Sequence, residues 1–184
     1  MKYSIDWLKE QIADSKPLDY LFFWGHTAKQ EGVIDKACFS QWWPATFKVA
    51  GISYPTAEHW MMANKASLFN DAGALTAILE TKNPAAIKAI GRQVKNFDAA
   101  KWEAVAYSFV VEGNLQKFSQ HTALKEFLLA TGDKIIVEAS PVDTVWGIGL
   151  AQDAKDASNP LKWRGTNLLG FALMEVRDAL ISRR

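Results

Sequence analysis

At Tyr54-Pro55 the sequence changes its period, and that change governs what the chain can fold into. Before it, Phe47 and Val49 alternate with polar neighbours, Gly51 marks a turn, and Ile52 and Tyr54 resume the alternation. That is the period-two pattern of paired strands. After it, apolar residues recur at helical spacing over most of the remaining chain. The pattern predicts helices over 55–69, 71–80, 84–95, 98–112, 114–119, 121–131 and 167–182, with Asp71, Asn83, Asp98 and Thr122 as caps near their starts. A short helix over 4–14 precedes Pro17; Leu21 to Trp24, Phe39 to Tyr54 and Ile135 to Ala139 read as β segments. The expected fold is therefore α+β, mainly α with a small β component. With no internal repeat or linker, it is expected as a single compact domain over 1–184.

The helix after Pro55 carries a contradiction. At about 100° per residue, Met61, Met62, Leu68 and Phe69 share a stripe roughly 120° wide, and Glu58 and Lys65 fall inside it. A core-facing stripe should be free of charge, because burying an unpaired ion is costly. Two plain explanations are a buried salt bridge and a solvent-facing end along which Lys65 snorkels. The bridge is strained, since the two residues stand about 10 Å apart along the axis, beyond the i,i+4 reach. The third explanation is a pocket floored by Met61 and Met62, in which both charges have shifted proton affinities useful for catalysis.

Composition narrows the function classes. Twenty-one Lys and Arg against twenty Asp and Glu give a formal net charge of +1, and no cationic cluster stands out. That argues against strong duplex DNA binding, which needs a basic face, but permits a nucleotide-sized ligand. The single cysteine, Cys38, fits a reducing compartment, and no apolar run has the length of a membrane span. The N-terminus lacks a signal-peptide core. A cytoplasmic protein is expected. His26, His59 and His121 have no metal-ligand spacing, so neither a metal nor a cofactor is expected.

Eight tryptophans are unusual, and most are accounted for as core. Trp24, Trp146 and Trp163, however, sit in turn-rich segments where an indole can stack on a planar ring. The stretch Trp163-Arg164-Gly165-Thr166-Asn167 precedes the final helix, where free backbone amides favour an anion; the plainer reading is an ordinary Asn or Thr cap. Asp143 and Asp153 flank Trp146 as loop carboxylates, which are usually just solvated.

Several segments together resemble the YbiA-like, or NADAR (NAD and ADP-ribose), family. They are Phe22-Phe23-Trp24, Phe39-Ser40, the run from Tyr54 to Lys65, Gly91-Arg92, Trp102, the run from Asp143 to Leu150, and Trp163 to Gly170 followed by Leu173 to Arg177. The resemblance extends from about residue 20 to the C-terminus and leaves 1–19 as an N-terminal extension. It implies hydrolysis of a ribosyl C1′–N bond, in ADP-ribosyl guanine or in a phosphoribosyl-aminouracil intermediate of riboflavin synthesis. The partners it implies are small ribosyl-phosphate molecules or ADP-ribosylated guanine in single-stranded DNA.

The family's functional positions fall on Glu58, Lys65, Trp102, Asp143 and Trp146. Some members carry an aspartate two residues after the tryptophan that matches Trp146; this chain has Ile148 there, and Asp153 is the candidate to take over part of that role. On this reading Glu58, Lys65 and Asp143 are catalytic. Trp24, Trp102 and Trp146 stack on the base or adenine, Arg164 and Asn167 hold phosphate, and Lys65 is either a Schiff-base nucleophile or a phosphate contact. The rival reading is a non-catalytic ADP-ribose or nucleotide-binding module using the same residues.

Overall fold

The computed structural model describes residues 1–183. In chain order the elements are α1 (Ile5–Ala13), β1 (Tyr20–Phe23), β2 (Phe47–Val49), β3 (Ile52–Tyr54), α2 (Ala57–Leu68), α3 (Ala72–Glu80), α4 (Pro84–Arg92), α5 (Ala99–Gln120), α6 (Thr122–Leu129), β4 (Ile135–Glu138) and α7 (Leu168–Ile181). The fold is α+β, mainly helical. Among the described residues no helix is long and apolar enough to cross a membrane.

The expected elements are present, most with shorter ends, and three expectations change. The predicted helices over 98–112 and 114–119 are one helix, α5, because Gly113 does not break it. A Cβ there would come within 2.4 Å of the Trp60 ring, so the glycine admits the indole rather than ending a turn. The front of the Phe39–Tyr54 β region is not strand: Lys36–Phe39 is a 3-10 turn capped by the Asp35 carboxylate. Asp71, Asn83 and Asp98 each cap their helix through the side chain, whereas Thr122 is the first residue of α6 rather than its cap.

The chain packs as two units, residues 41–122 and residues 1–40 with 123–184. In the 41–122 unit β2 and β3 form an antiparallel hairpin in the register Phe47↔Tyr54. Its turn is tight, with Ala50 at φ 49° and Gly51 at φ 83°. α2 packs against α3, α4 and α5. Two glycines let it approach: Gly113 faces Trp60, and a Cβ on Gly91 would lie 2.1 Å from the Met62 sulfur. Trp60 is pinned further by donating its indole N–H to the Phe109 carbonyl at 2.8 Å.

In the other unit β1 and β4 pair in parallel, Tyr20↔Ile135 to Phe23↔Glu138, and α7 packs on β4. A two-stranded sheet leaves strand edges exposed. Asn167 covers one of them: its side chain accepts from Glu138 N–H and donates to Ile136 C=O, both at 2.9 Å, as a third strand would. The N-terminal extension belongs to this unit. Ser4 caps α1, Leu8 is buried, and the Tyr3 hydroxyl donates to the Asp178 carboxylate of α7 at 2.7 Å.

Candidate active site

The first turn of α2 is held with unusual redundancy. Thr56 is extended and caps the helix by accepting the His59 N–H at 3.3 Å. The His59 ring spans Thr56 and Thr81, with Nδ1 2.7 Å from the Thr56 hydroxyl and Nε2 2.8 Å from the Thr81 carbonyl. A carbonyl only accepts, so Nε2 carries a proton; burial disfavours a second one, and in that neutral ring Nδ1 accepts from the Thr56 hydroxyl. His59 is thus a neutral imidazole, and burial lowers its proton affinity. It is a clamp within the fold.

Glu58 sits in this clamped turn, 6% exposed, with its backbone N–H on the Gln41 carbonyl at 3.0 Å. The helix N-terminus favours its negative charge. Two turns on, Lys65 is half-buried, its ammonium 4.2 Å from the Phe97 ring centre and 5.5 Å from that of Trp102. Desolvation pulls the Lys65 proton affinity down, and the negative charge of Glu58 opposes that shift. The two aromatic faces return part of the lost hydration.

The stripe expected on α2 is wider than periodicity suggests. Every residue from Ala57 to Ala63 is buried, while Leu68, placed in the stripe, is part-exposed. The reason is that α2 is enclosed by three helices and so has no solvent face in its first two turns. The 41–122 unit brings Glu58, Lys65 and Trp102 into one neighbourhood and adds Phe97, which sequence reasoning missed. The available signal was a large apolar residue between two helices, in Asn96-Phe97-Asp98; it is 47% exposed. Trp102 has a Phe109 ring stacked at 6.1 Å, so part of its surface is already committed.

In the other unit Asp143 works on its own loop. One carboxylate oxygen accepts from the N–H groups of Val145 (2.9 Å) and Trp146 (2.7 Å), fixing the turn that presents Trp146. The carbonyls of Thr144, Val145, Trp146 and Gly147 then accept from the amides of Thr166, Leu168, Leu169 and Asn167 respectively. This corrects one expectation. The amides of Asn167, Leu168 and Leu169 at the start of α7 are not free for an anion, because they close this loop-to-loop ladder.

Asn167 is likewise committed, 0% exposed with both side-chain polar atoms on β4, and it makes no side-chain cap. The ladder is close because Gly165 has no side chain: a Cβ would meet Gly147 O at 2.3 Å. Arg164 and Asp153 are exposed. Trp163 is tied into packing through its N–H on Ala157 O at 2.7 Å and an edge contact with Tyr20. Trp24, directly after β1, is 58% exposed. The end of β1 is joined to the segment beside Asp153 by Lys36, whose ammonium donates to Phe22 O and to Gln152 Oε1. Among the described residues no group of three His, Cys, Asp or Glu side chains is arranged to hold a metal ion.

Residues 22–181 match the family model of the NADAR domain. The chain belongs to the NADAR family. It is 46% identical over 165 residues to an N-glycosidase of Acanthamoeba polyphaga mimivirus, covering 86% of this chain and 95% of that protein. An N-glycosidase of Nostoc punctiforme is 32% identical over 143 residues, 78% of this chain and 85% of the relative. The fold is similar to the NMR structure of the Escherichia coli protein YbiA, with a TM-score of 0.70, 26% identity, and coverage of 91% of this chain and 89% of that one. In this NADAR chain Ile148 is fully buried and donates its N–H to Glu138 O at 2.9 Å, so a core side chain stands where some members carry a carboxylate.

Proposed function

We propose that this protein is an N-glycoside hydrolase that cleaves a ribosyl C1′–N bond, with ADP-ribosyl guanine as its first substrate class and a phosphoribosyl-aminouracil as its second. The observation that carries the proposal is the Glu58–Lys65 arrangement: a buried carboxylate in a clamped helix turn, electrostatically coupled to an amine whose proton affinity burial lowers. The N-glycosidase names of the relatives support the reaction class. The buried Ile148 supports the order of substrates, since its departure from the members that carry an aspartate there weighs against the aminouracil.

Breaking the C1′–N bond leaves positive charge on the sugar, and a carboxylate in a poorly solvated place stabilises it strongly. Glu58 takes that role and orients or deprotonates the water whose oxygen replaces the base at C1′; the base leaves with a proton. Lys65 has two modes. As a free amine it attacks C1′; the C1′–N bond to the base breaks and the base leaves with a proton. The ring C1′–O bond opens as the amine loses its remaining proton to give a Schiff base, and water hydrolyses that Schiff base to free both lysine and sugar. As an ammonium it holds a phosphate.

Trp102, Trp146 and Trp24 offer ring faces for the base or adenine. Arg164, with its exposed side chain, contributes phosphate charge, and Asp153 is an exposed carboxylate for substrate polar groups. Asp143 assists by placing Trp146, and Asn167 acts by holding its segment on β4.

The test is base release, read by chromatography, from ADP-ribosylated guanine in single-stranded DNA, from the aminouracil ribotide and from NAD. Cleavage of the first is expected. Cleavage of none, with ADP-ribose still bound, overturns the enzyme reading in favour of a binding module.

A further inference from the structure

Gln41 lies directly against the turn that carries Glu58: its backbone carbonyl accepts the Glu58 N–H at 3.0 Å. Its side chain is anomalous. Both the amide nitrogen and the amide oxygen are buried, and neither has a hydrogen-bond partner. A buried primary amide with no partner forfeits its hydration at both ends and gains nothing in return. Native proteins keep few such groups, and a persisting one needs a reason. Packing does not supply one, because methionine has similar length and no desolvation penalty. A ligand that completes the bonding is one such reason.

We propose that Gln41 is a substrate-recognition residue, whose amide pairs with the vicinal hydroxyls of the ribose whose C1′ faces Glu58. The chemistry fits. A primary amide offers donors on one side and an acceptor on the other, and a cis-diol presents two hydroxyls that each donate and accept. The backbone bond between Gln41 and Glu58 holds the two residues side by side. The proposal rests on the reading of Glu58 given above, and it makes Gln41 a determinant of ribose recognition rather than of bond cleavage.

The experiment compares wild type with Gln41→Met in two measurements. Thermal unfolding without ligand should show the variant melting higher by about 2–4 °C, because an unsatisfied amide has been removed. Calorimetric titration with ADP-ribose should show affinity weakened about tenfold, with ADP, which lacks the terminal ribose, bound equally by both proteins. A lower melting temperature in Gln41→Met overturns the proposal, since it means that the amide is bonded within the fold. So does unchanged ADP-ribose affinity, or an equal loss for ADP. Failure of wild type itself to bind ADP-ribose counts against the substrate reading of the whole site, whereas the melting comparison tests Gln41 separately.

Discussion

The ammonium of Lys65 lies over the face of Phe97, 4.2 Å from the ring centre, and 5.5 Å from the centre of Trp102. A ring face attracts a cation and gives nothing to a neutral amine, so this contact favours the protonated state. Burial favours the neutral one, and the Glu58 charge sides with the rings. The amine is held between opposed influences, which suits a group that must carry a proton at one stage and lose it at another. Phe97→Leu is therefore expected to lower the Lys65 proton affinity further, as read by the pH dependence of NMR signals from the reductively methylated lysine. An unchanged titration would mean that the ring contributes nothing to the charge state.

Glu58→Gln should reduce base release by about 100-fold or more, the ordinary scale for removing a positioned acid–base group, while leaving the melting temperature near that of wild type. The same variant should lower the Lys65 proton affinity, because the charge that opposes desolvation is gone. Base release at the wild-type rate would refute the assignment of Glu58.

Asp143 separates a charge role from a turn role. Its oxygen caps two amides, and asparagine keeps an acceptor oxygen at that position. Asp143→Asn should therefore fold with wild-type stability, and Asp143→Ala should lose about 1–2 kcal/mol in denaturant melts. If turnover of the Asn variant matches wild type, the residue serves by placing Trp146 rather than by its charge.

His59 imposes a pH dependence on stability. In the folded chain its proton affinity is lowered by burial, and in the unfolded chain it returns to its ordinary value of 6.5. Between those two values the unfolded state binds more protons, so stability falls as the pH drops below about 6.5 and is restored above it. His59→Asn should flatten that slope while costing about 1–3 kcal/mol at neutral pH, from the lost bonds to Thr56 and Thr81. Denaturant melts across pH 4.5–7.5, on the order of the imidazole titration range, check both effects.

Gly165→Ala should be among the most damaging single-methyl changes in the chain. The added carbon would sit 2.3 Å from Gly147 O and 2.7 Å from Thr144 Cα, both backbone groups that cannot step aside. A loss of about 1–3 kcal/mol is expected. Fluorescence of Trp146 should shift as its loop moves; a variant with wild-type stability and emission would show that the ladder between the two loops is slack.

Much of the fold was legible because helix and strand periods are local properties. The switch at Pro55, the caps at Asp71, Asn83 and Asp98, and the charged pair on α2 all follow from spacing of a few residues. Gly113 misled because a helical glycine looks alike from sequence whether it ends a turn or admits an indole. The start of α7 misled for a similar reason: its sequence shows that amides exist there, not that four carbonyls from residues about twenty positions earlier consume them.

By itself, then, the sequence determined the element types, the α+β class and the suspicion attached to Glu58 and Lys65, since each depends on near neighbours along the chain. Only the tertiary structure decided that the first two turns of α2 are buried on all sides, that Lys65 rests on Phe97 and Trp102, that Asn167 extends β4, and that the side-chain amide of Gln41 is left without partners beside Glu58. Desolvation and hydrogen-bond satisfaction depend on what surrounds a group in space, and residues far apart in the chain supply those surroundings.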